Sequence, residues 1–454
     1  RRHTRYISVT GVQTCALPIS PQKIHYLIPI FLVYFLNYQT LFSQNQLQKQ
    51  AEKNFRLLNY NSQLSSLVSI DNDGVRIYAG ANEKTAGRSE FTLYWDEVPG
   101  FQQMMKKMPA DTIAKFFLKK ENKNFSAEWN ITAVKDQSFN LSASILPLAG
   151  KKIAIDPGHI AGDMESAKIE QKYIDWPANE ALRLPERIQL AEGVLTWQTA
   201  MLVKTQLEEA GAEVMITRPA INSTSFGISF DDWCKTRKRN VLDSLKKIKK
   251  ITDAEYNNLS QSNMKDLFWN FFRDYDLNNR VQVINNFRPD ITVIIHYNVD
   301  EKNAEWKKPT EKNFSMCFIG GAMTNDNFLK PANKINFLRM LVTEDLSRSE
   351  KLSSLLVNEF SSQLGTPIAK KEDATYLSEN CIATSSKGVF SRNLALCRGI
   401  YGPLAYGECV YQDNKNECLL LNKNDREFYG ITTNERVKQI ADCYVNAVNN
   451  YFSN

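Results

Sequence analysis

Past residue 43 the chain holds only two histidines, and each follows a short apolar strand pattern. Ile153-Ala154-Ile155 runs through Asp156-Pro157-Gly158 into His159, and Ile291-Thr292-Val293-Ile294-Ile295 runs into His296. In an open α/β sheet the carboxyl ends of the strands line the crevice where ligands bind. Two imidazoles at such ends are placed to share one metal ion, each giving a ring nitrogen. A catalytic zinc ion takes three protein ligands and keeps one position open for water. Glu192 is the carboxylate that completes the set, because it opens the helical pattern after the first strand and so stands at the same sheet edge. The same residues admit a plainer reading, as two hydrogen-bonded core histidines and a first-turn acid favoured by the helix dipole.

Glu408 is the fourth candidate. It ends the run Gly402-Pro403-Leu404-Ala405-Tyr406-Gly407-Glu408, a carboxylate emerging from a largely apolar strand. A buried charge without a partner is costly, so this acid is paired, ligated or functional. Beside an activated water it can accept a proton and later pass it to a leaving amine. A salt-bridged structural acid is the alternative.

These residues need a particular frame. Strand 153–155 is followed by a helix over 194–210, with Leu195, Ala200, Leu202, Val203 and Leu207 as its apolar positions and Gly211 as its stop, and then by strand 214–216. That βαβ unit calls for a parallel sheet covered by helices. Residues 229–286 read as helical and charge-rich. Strands are expected at 291–295, 314–319, 393–398 and 403–408, and helices at 345–363 and 434–452. The fold class is α/β, with helices on both faces of a mostly parallel, mixed sheet over 149–454. Before it, residues 45–148 read as a small α+β domain: a helix over 45–60, strand patterns LVSI, VRIYAG and FTLYW around the turn Asp71-Asn72-Asp73-Gly74, a helical piece near 101–118, then AEWNITAV and FNLSASILPL. With no histidine, this part is expected to support or bind rather than catalyse.

Composition narrows the function classes. The chain has 454 residues, 43% of them hydrophobic and 11% aromatic, and a mean hydropathy of −0.39. A polytopic membrane protein and a disordered chain are both excluded. The formal charge of +6 leans on Arg1, Arg2, Arg5 and Lys23; residues 1–43 contain no acid, and the remainder is close to neutral. Lys246, Lys247, Lys249 and Lys250 form a basic cluster without interleaved aromatics, which reads as a solvated helix end. No nucleic-acid partner is expected.

Residues 1–22 resemble translated sequencing-adaptor sequence and are expected to be an artefact. Residues 23–44 have the layout of a signal peptide: Lys23, His25, the apolar YLIPIFLVYFL, and Ser43; a buried strand or helix and an uncleaved N-terminal anchor are the alternative readings. No later stretch is long and apolar enough for a span, so an exported protein with no stable membrane span after processing is expected. Cys234, Cys317, Cys381, Cys397, Cys409, Cys418 and Cys443 form no CxxC and are odd in number, so at least one is unpaired or pairs between chains; five of them lie between 381 and 443, which leaves room for one or two disulfides after export.

Four segments in order resemble the zinc-dependent N-acetylmuramoyl-L-alanine amidases of the amidase_3 type. Ile153 to His159 is similar to the family's first strand and metal histidine. Glu192 through Leu195, Ala200, Leu207 and Gly211 to Thr217-Arg218 keeps the spacing from metal glutamate to the Thr-Arg pair. Arg280 and Asp290 to His296-Tyr297-Asn298 resemble the second metal-histidine segment. Pro403 to Glu408, trailed by Asn414 to Glu417, resembles the segment of the catalytic glutamate. The resemblance spans Leu148 to the C-terminus. It implies one Zn2+ on His159, Glu192 and His296, catalysis by Glu408, and hydrolysis of the amide between N-acetylmuramic acid and L-alanine in peptidoglycan or muropeptides. A different amide, or wall binding without catalysis, are the competing readings.

The chain departs from the family after His159, where Ile160-Ala161-Gly162-Asp163-Met164-Glu165 replaces the usual glycine-rich run. It also carries insertions at 160–191 and 221–279, which read as loops or helical lids over the groove. Asp156 is expected either to orient a metal ligand or to hold the Pro-Gly turn through backbone amides. Tyr297 and Asn298 are read as facing substrate or packing, and Arg218 and Arg280 as anchors. The expected location is the periplasm or the cell exterior, and the composition resembles AT-rich Bacteroidota, which are Gram-negative. The sequence names no protein activator.

Overall fold

A strand such as Ile291–Asn298, uncharged for five residues before its histidine, is buried on both faces only inside a sheet covered by helices. A computed structural model describes residues 44–120, 123–125, 146–303 and 306–453. The expected leader and signal segment, and most of AEWNITAV and FNLSASILPL, lie outside the described residues.

In chain order the strands are β1 (Val68–Ile70), β2 (Gly74–Ile77), β3 (Phe91–Tyr94), β4 (Lys152–Pro157), β5 (Tyr173–Trp176), β6 (Ile188–Ala191) and β7 (Glu213–Ile216). After them come β8 (Ile291–Asn298), β9 (Met316–Gly320), β10 (Cys381–Ala383), β11 (Val389–Arg392), β12 (Leu404–Tyr411), β13 (Arg426–Phe428) and β14 (Ile431–Thr433). Seven of them form one mixed sheet in the order β10-β11-β9-β12-β8-β4-β7. β7, β4, β8 and β12 run parallel, while β9 pairs antiparallel to β12. Ile153, Ile155, Val293, Ile295 and Cys409 pack beneath the helices Glu192–Glu209, Asp345–Leu364 and Glu435–Ser453. Ala154, Ile294, Phe318 and Leu404 face the other way, against Ile284, Leu377 and Leu396. The α/β class with helices on both faces of the sheet is therefore the observed architecture.

Two expectations are corrected. The strand expected at 393–398 is the helix Ala395–Gly399, and the strand precedes it as β11. A short apolar run reads equally as strand or buried helix turn, and Leu396 and Cys397 meet the sheet from its face. The disulfides for which the spacing leaves room do not form among the described residues: Cys381, Cys397, Cys409, Cys418 and Cys443 are free and buried. The Cys381, Cys409, Cys418 and Cys443 thiols donate to four different carbonyls, of Tyr376, His296, Lys415 and Glu359.

The 221–279 stretch is broken into the helices Phe230–Thr236, Lys238–Lys247, Asp253–Gln261 and Met264–Leu267, then a π-helical turn Phe268–Phe272 that leads into Arg273–Phe287. They share an aromatic core of Phe230, Trp233, Phe268 and Phe272, into which Ile160 inserts. β5 and β6 make an antiparallel hairpin inside the other insertion.

On the N-terminal side, β1, β2 and β3 form a small antiparallel sheet. Beside it Lys120 and Glu97, both fully buried, pair at 2.6 Å. Helix Ala110–Lys120 packs on helix Pro331–Val342, whose residues from Asn333 to Val342 are all buried. Asn54 caps the far end of that helix, donating to the carbonyls of Met340, Leu341 and Thr343 that the helix leaves open. The described residues from 48 onward belong to one compact unit. No described helix is long and apolar enough to cross a membrane.

Candidate metal centre

The strand ends deliver the site. His159 follows β4 by two residues, His296 lies near the end of β8, and Glu192 is the first residue of helix Glu192–Glu209. Glu192 is buried, and each of its oxygens faces an imidazole: Oε2 lies 3.1 Å from His159 Nε2 and Oε1 lies 3.1 Å from His296 Nδ1. Gln412 Nε2 and the Tyr297 backbone N–H donate to the same carboxylate at 3.3 and 3.2 Å. Burial alone would push the Glu192 carboxyl up, but the imidazoles, His159 foremost, hold it well below the usual carboxylate range.

One donor atom from each of His159, Glu192 and His296 lies within 4.8 Å of the others. Two imidazoles and a carboxylate, with no thiolate among them, are a donor set that zinc accepts in catalytic sites. The residues therefore fit the ion the sequence called for. A second feature fits as well: Gly158 lets the His296 ring lie against the backbone, since a Cβ there would fall 2.3–2.6 Å from three ring atoms. Gly158→Ala is expected to turn that ring off Glu192 and weaken zinc binding by roughly 10–100-fold. Competition with a chromophoric chelator measures it, and far-ultraviolet circular dichroism should stay unchanged.

The His159 loop is held from beneath. His159 has φ of 58°, a left-handed conformation that costs a non-glycine residue energy unless its surroundings fix it. Glu170 accepts from the backbone N–H groups of Ile160 and Ala161 at 3.0 and 3.1 Å. Arg280 donates to the carbonyls of Pro157 and His159 at 2.8 and 2.9 Å. Arg218 donates to those of Pro157 and Gly193 at 3.2 and 2.8 Å, tying the loop to the start of the Glu192 helix. Both arginines are anchors, as expected. Asp156 does neither thing expected of it: its carboxylate accepts from the Thr217 hydroxyl and from Arg280, not from a metal ligand or the turn amides. Arg280 also binds Asp276 at 2.7 Å. Arg280→Met would leave two buried carboxylates facing each other without their cation, at an expected cost of about 3–5 kcal/mol, read from urea unfolding.

Glu408 pairs with His296 across β12 and β8, so both side chains rise from the same sheet face. It is half-buried, and its Oε2 has no hydrogen-bond partner among the described residues. Burial, reinforced by the charge of Glu192, pushes its carboxyl up to about 8 against the pull of Arg392, Lys172 and His159. Tyr406, two residues before it, stacks on His296 with centroids 4.5 Å apart and planes 8° apart. Tyr297 is buried with its hydroxyl 2.7 Å from that of Thr199, so it packs rather than faces substrate. Asn298 donates to the Tyr376 hydroxyl at 2.8 Å. Glu417 is the partner of Arg436 at 2.6 Å, away from the histidines.

Sequence reasoning did not single out Glu170, Tyr406 or Gln412. Glu170 had no signal, since its partners are backbone amides. Tyr406 did: residues two apart on a strand share a face, and Glu408 was already placed. A cavity of about 190 Å³ opens beside the histidines, walled by Phe268 and Trp269 of the insertion and by Leu394, Leu396 and Tyr406.

A family model described as N-acetylmuramoyl-L-alanine amidase, Amidase_3, matches residues 153–449. No curated protein gives a significant match. Solved structures with a likeness to the chain include the CwlD amidase from Clostridioides difficile in complex with the GerS lipoprotein, at 16% identity over 67% of this chain and 98% of that one, with a TM-score of 0.35. The apo N-acetylmuramyl-L-alanine amidase Ami1 from Mycobacterium abscessus is 16% identical over 67% and 99%, with a TM-score of 0.34. AmiC2 of Nostoc punctiforme is 12% identical over 68% and 99%, with a TM-score of 0.34.

Proposed function

The chain belongs to the Amidase_3 family of N-acetylmuramoyl-L-alanine amidases, and from that membership we propose that it hydrolyses, with one zinc ion, the amide joining the lactyl group of N-acetylmuramic acid to L-alanine in peptidoglycan. The observation that carries the zinc-dependent reading is the approach of His159, Glu192 and His296 to within 4.8 Å, with Glu408 across the strand pair from His296. The chemistry such an ion supplies is Lewis-acid activation of water and of the scissile carbonyl.

The protein's own groups do the rest. Glu192, kept ionised, would give the ion a carboxylate oxygen beside His159 Nε2 and His296 Nδ1, the ring atoms that face it. Tyr406 fixes the plane of His296 from one side, and Gly158 leaves room for it on the backbone side. Glu408 takes the proton of the attacking water and delivers it to the alanine nitrogen as the C–N bond breaks. Peptidoglycan lies outside the cytoplasmic membrane, so this reading carries export to the periplasm or the cell exterior with it.

Digestion of purified sacculi by the zinc-loaded protein, with mass analysis of the products, tests the proposal. Stem peptides beginning with a free L-alanine amine are expected. Cleavage at another amide would overturn the substrate assignment, and zinc binding without any release would indicate a wall-binding protein.

A further inference from the structure

Among the described residues every arginine that is buried or half-buried has a hydrogen-bond or ion-pair partner, with one exception. Arg76 has Asp71, Arg280 has Asp156 and Asp276, Arg339 has Asp345, Arg398 has Asn333 and Asn393, Arg436 has Glu417, and Arg218 binds backbone carbonyls. The side chain of Arg392, half-buried at the end of β11, makes neither kind of contact among the described residues. Its guanidinium carbon instead lies 4.8 Å from the ring centroids of both Phe318 and Tyr376. Ring contacts of that kind are cation–π contacts that use none of the guanidinium N–H groups as conventional hydrogen-bond donors to oxygen. The charge is felt by Glu408, but no carboxylate pairs directly with it among the described residues, so its hydrogen-bonding edge is open to an anion that arrives with a ligand.

The arginine shares a sheet face with Glu408 from two strands away: Arg392 pairs with Gly320 of β9, and Phe318 and Met316 of that strand pair with Tyr406 and Glu408 of β12. In the sheet order, β12 with Glu408 lies between β8 with His296 on one side and β9 and β11 on the other. Rings link the two ends. Tyr406 stacks on His296, Phe318 touches Tyr406 at 5.9 Å, and Phe318 and Tyr376 are 6.4 Å apart. Asn298, two residues beyond His296, donates to the Tyr376 hydroxyl and fixes that ring to β8. A carboxylate that hands its proton to the departing nitrogen has that nitrogen at its side, and Arg392 lies on the β9–β11 side of Glu408, away from the metal ligands, with its charge felt by the Glu408 carboxyl.

We propose that Arg392, seated over Phe318 and Tyr376, is a binding subsite for a carboxylate on the peptide leaving group. An arginine edge matches a carboxylate in a bidentate pair. In a stem peptide joined through the γ-carboxyl of its second residue, the α-carboxylate of that residue is free one residue beyond the scissile amide. The identity of this peptide rests on the amidase reading; the test below needs no turnover.

Calorimetric titration with the dipeptide L-alanyl-γ-D-glutamate and with its α-amide compares two ligands that differ only in that charge. The protein is expected to bind the acid about tenfold more tightly or better. Arg392→Met should bring the two affinities to within about twofold by removing that charged hydrogen bond, with the amide affinity unchanged. Arg392→Lys should fall between, keeping the charge but not the fork. Equal binding of acid and amide, or no binding of either, overturns the proposal, as does a folded Arg392→Met variant that keeps the preference. If the Met variant does not fold, the Lys variant decides: a reduced preference supports the subsite and an undiminished one overturns it. Discrimination without cleavage of sacculi would end the amidase reading while leaving the subsite standing.

Discussion

Replacing Glu408 by glutamine is expected to slow release of stem peptides from sacculi by roughly 10²–10⁴-fold while leaving zinc content unchanged. The amide keeps the shape of the carboxyl but cannot accept and return a proton. Glu408 is not one of the three groups that converge, so metal binding has no reason to fail. The same substitution has a signature that is independent of turnover. Burial and the Glu192 charge raise the Glu408 carboxyl from an ordinary 4.5 to about 8. A group shifted upward on folding contributes stability that is complete below its unfolded value and is lost as pH rises through its folded one. Metal-free wild-type and Glu408→Gln proteins should therefore unfold at similar temperatures near pH 4, and the glutamine variant should be the more stable above about pH 8. Thermal scans of chelator-treated samples measure the difference, and a variant less stable than wild type at high pH would contradict the environment assigned to Glu408.

His159→Asn is expected to remove both zinc and activity. Asparagine is chosen because it tolerates the left-handed backbone that position 159 adopts, so the Arg280 and Glu170 hydrogen bonds to the loop backbone survive. What is lost is the ring nitrogen opposite Glu192 Oε2. Loss of a ligand should exceed the roughly 10–100-fold that loss of a supporting partner costs. Zinc content by mass spectrometry and turnover on sacculi should fall together. Full zinc occupancy in this variant would remove His159 from the site.

Much of this was legible because the chemistry sits at strand ends. The apolar runs before His159 and His296 and the glycine-flanked run before Glu408 are β4, β8 and β12, and Gly211 does stop the helix that Glu192 begins. The four candidate residues follow from those elements and from which side chains can bind a metal or move a proton. The supporting parts were harder to read for definite reasons. Helix Pro331–Val342 is buried all round, so it shows no apolar stripe. Leu394 to Cys397 is too short for its period to separate strand from helix. The roles of Glu170, Arg218 and Arg280 lie in bonds to backbone atoms of a loop far away in sequence. The cysteine cluster suggested disulfides only because closeness in sequence was read as closeness in space; in the fold each thiol occupies its own place in the core.

X-ray absorption at the zinc edge of the zinc-loaded protein tests the central claim most directly, because it reports the atoms around the ion itself. A first shell of two imidazoles and carboxylate or water oxygen, at one zinc per chain, is the predicted result. Sulfur in that shell, a single imidazole, or zinc binding that survives His159→Asn with its shell unchanged would contradict convergence of His159, Glu192 and His296 on one ion.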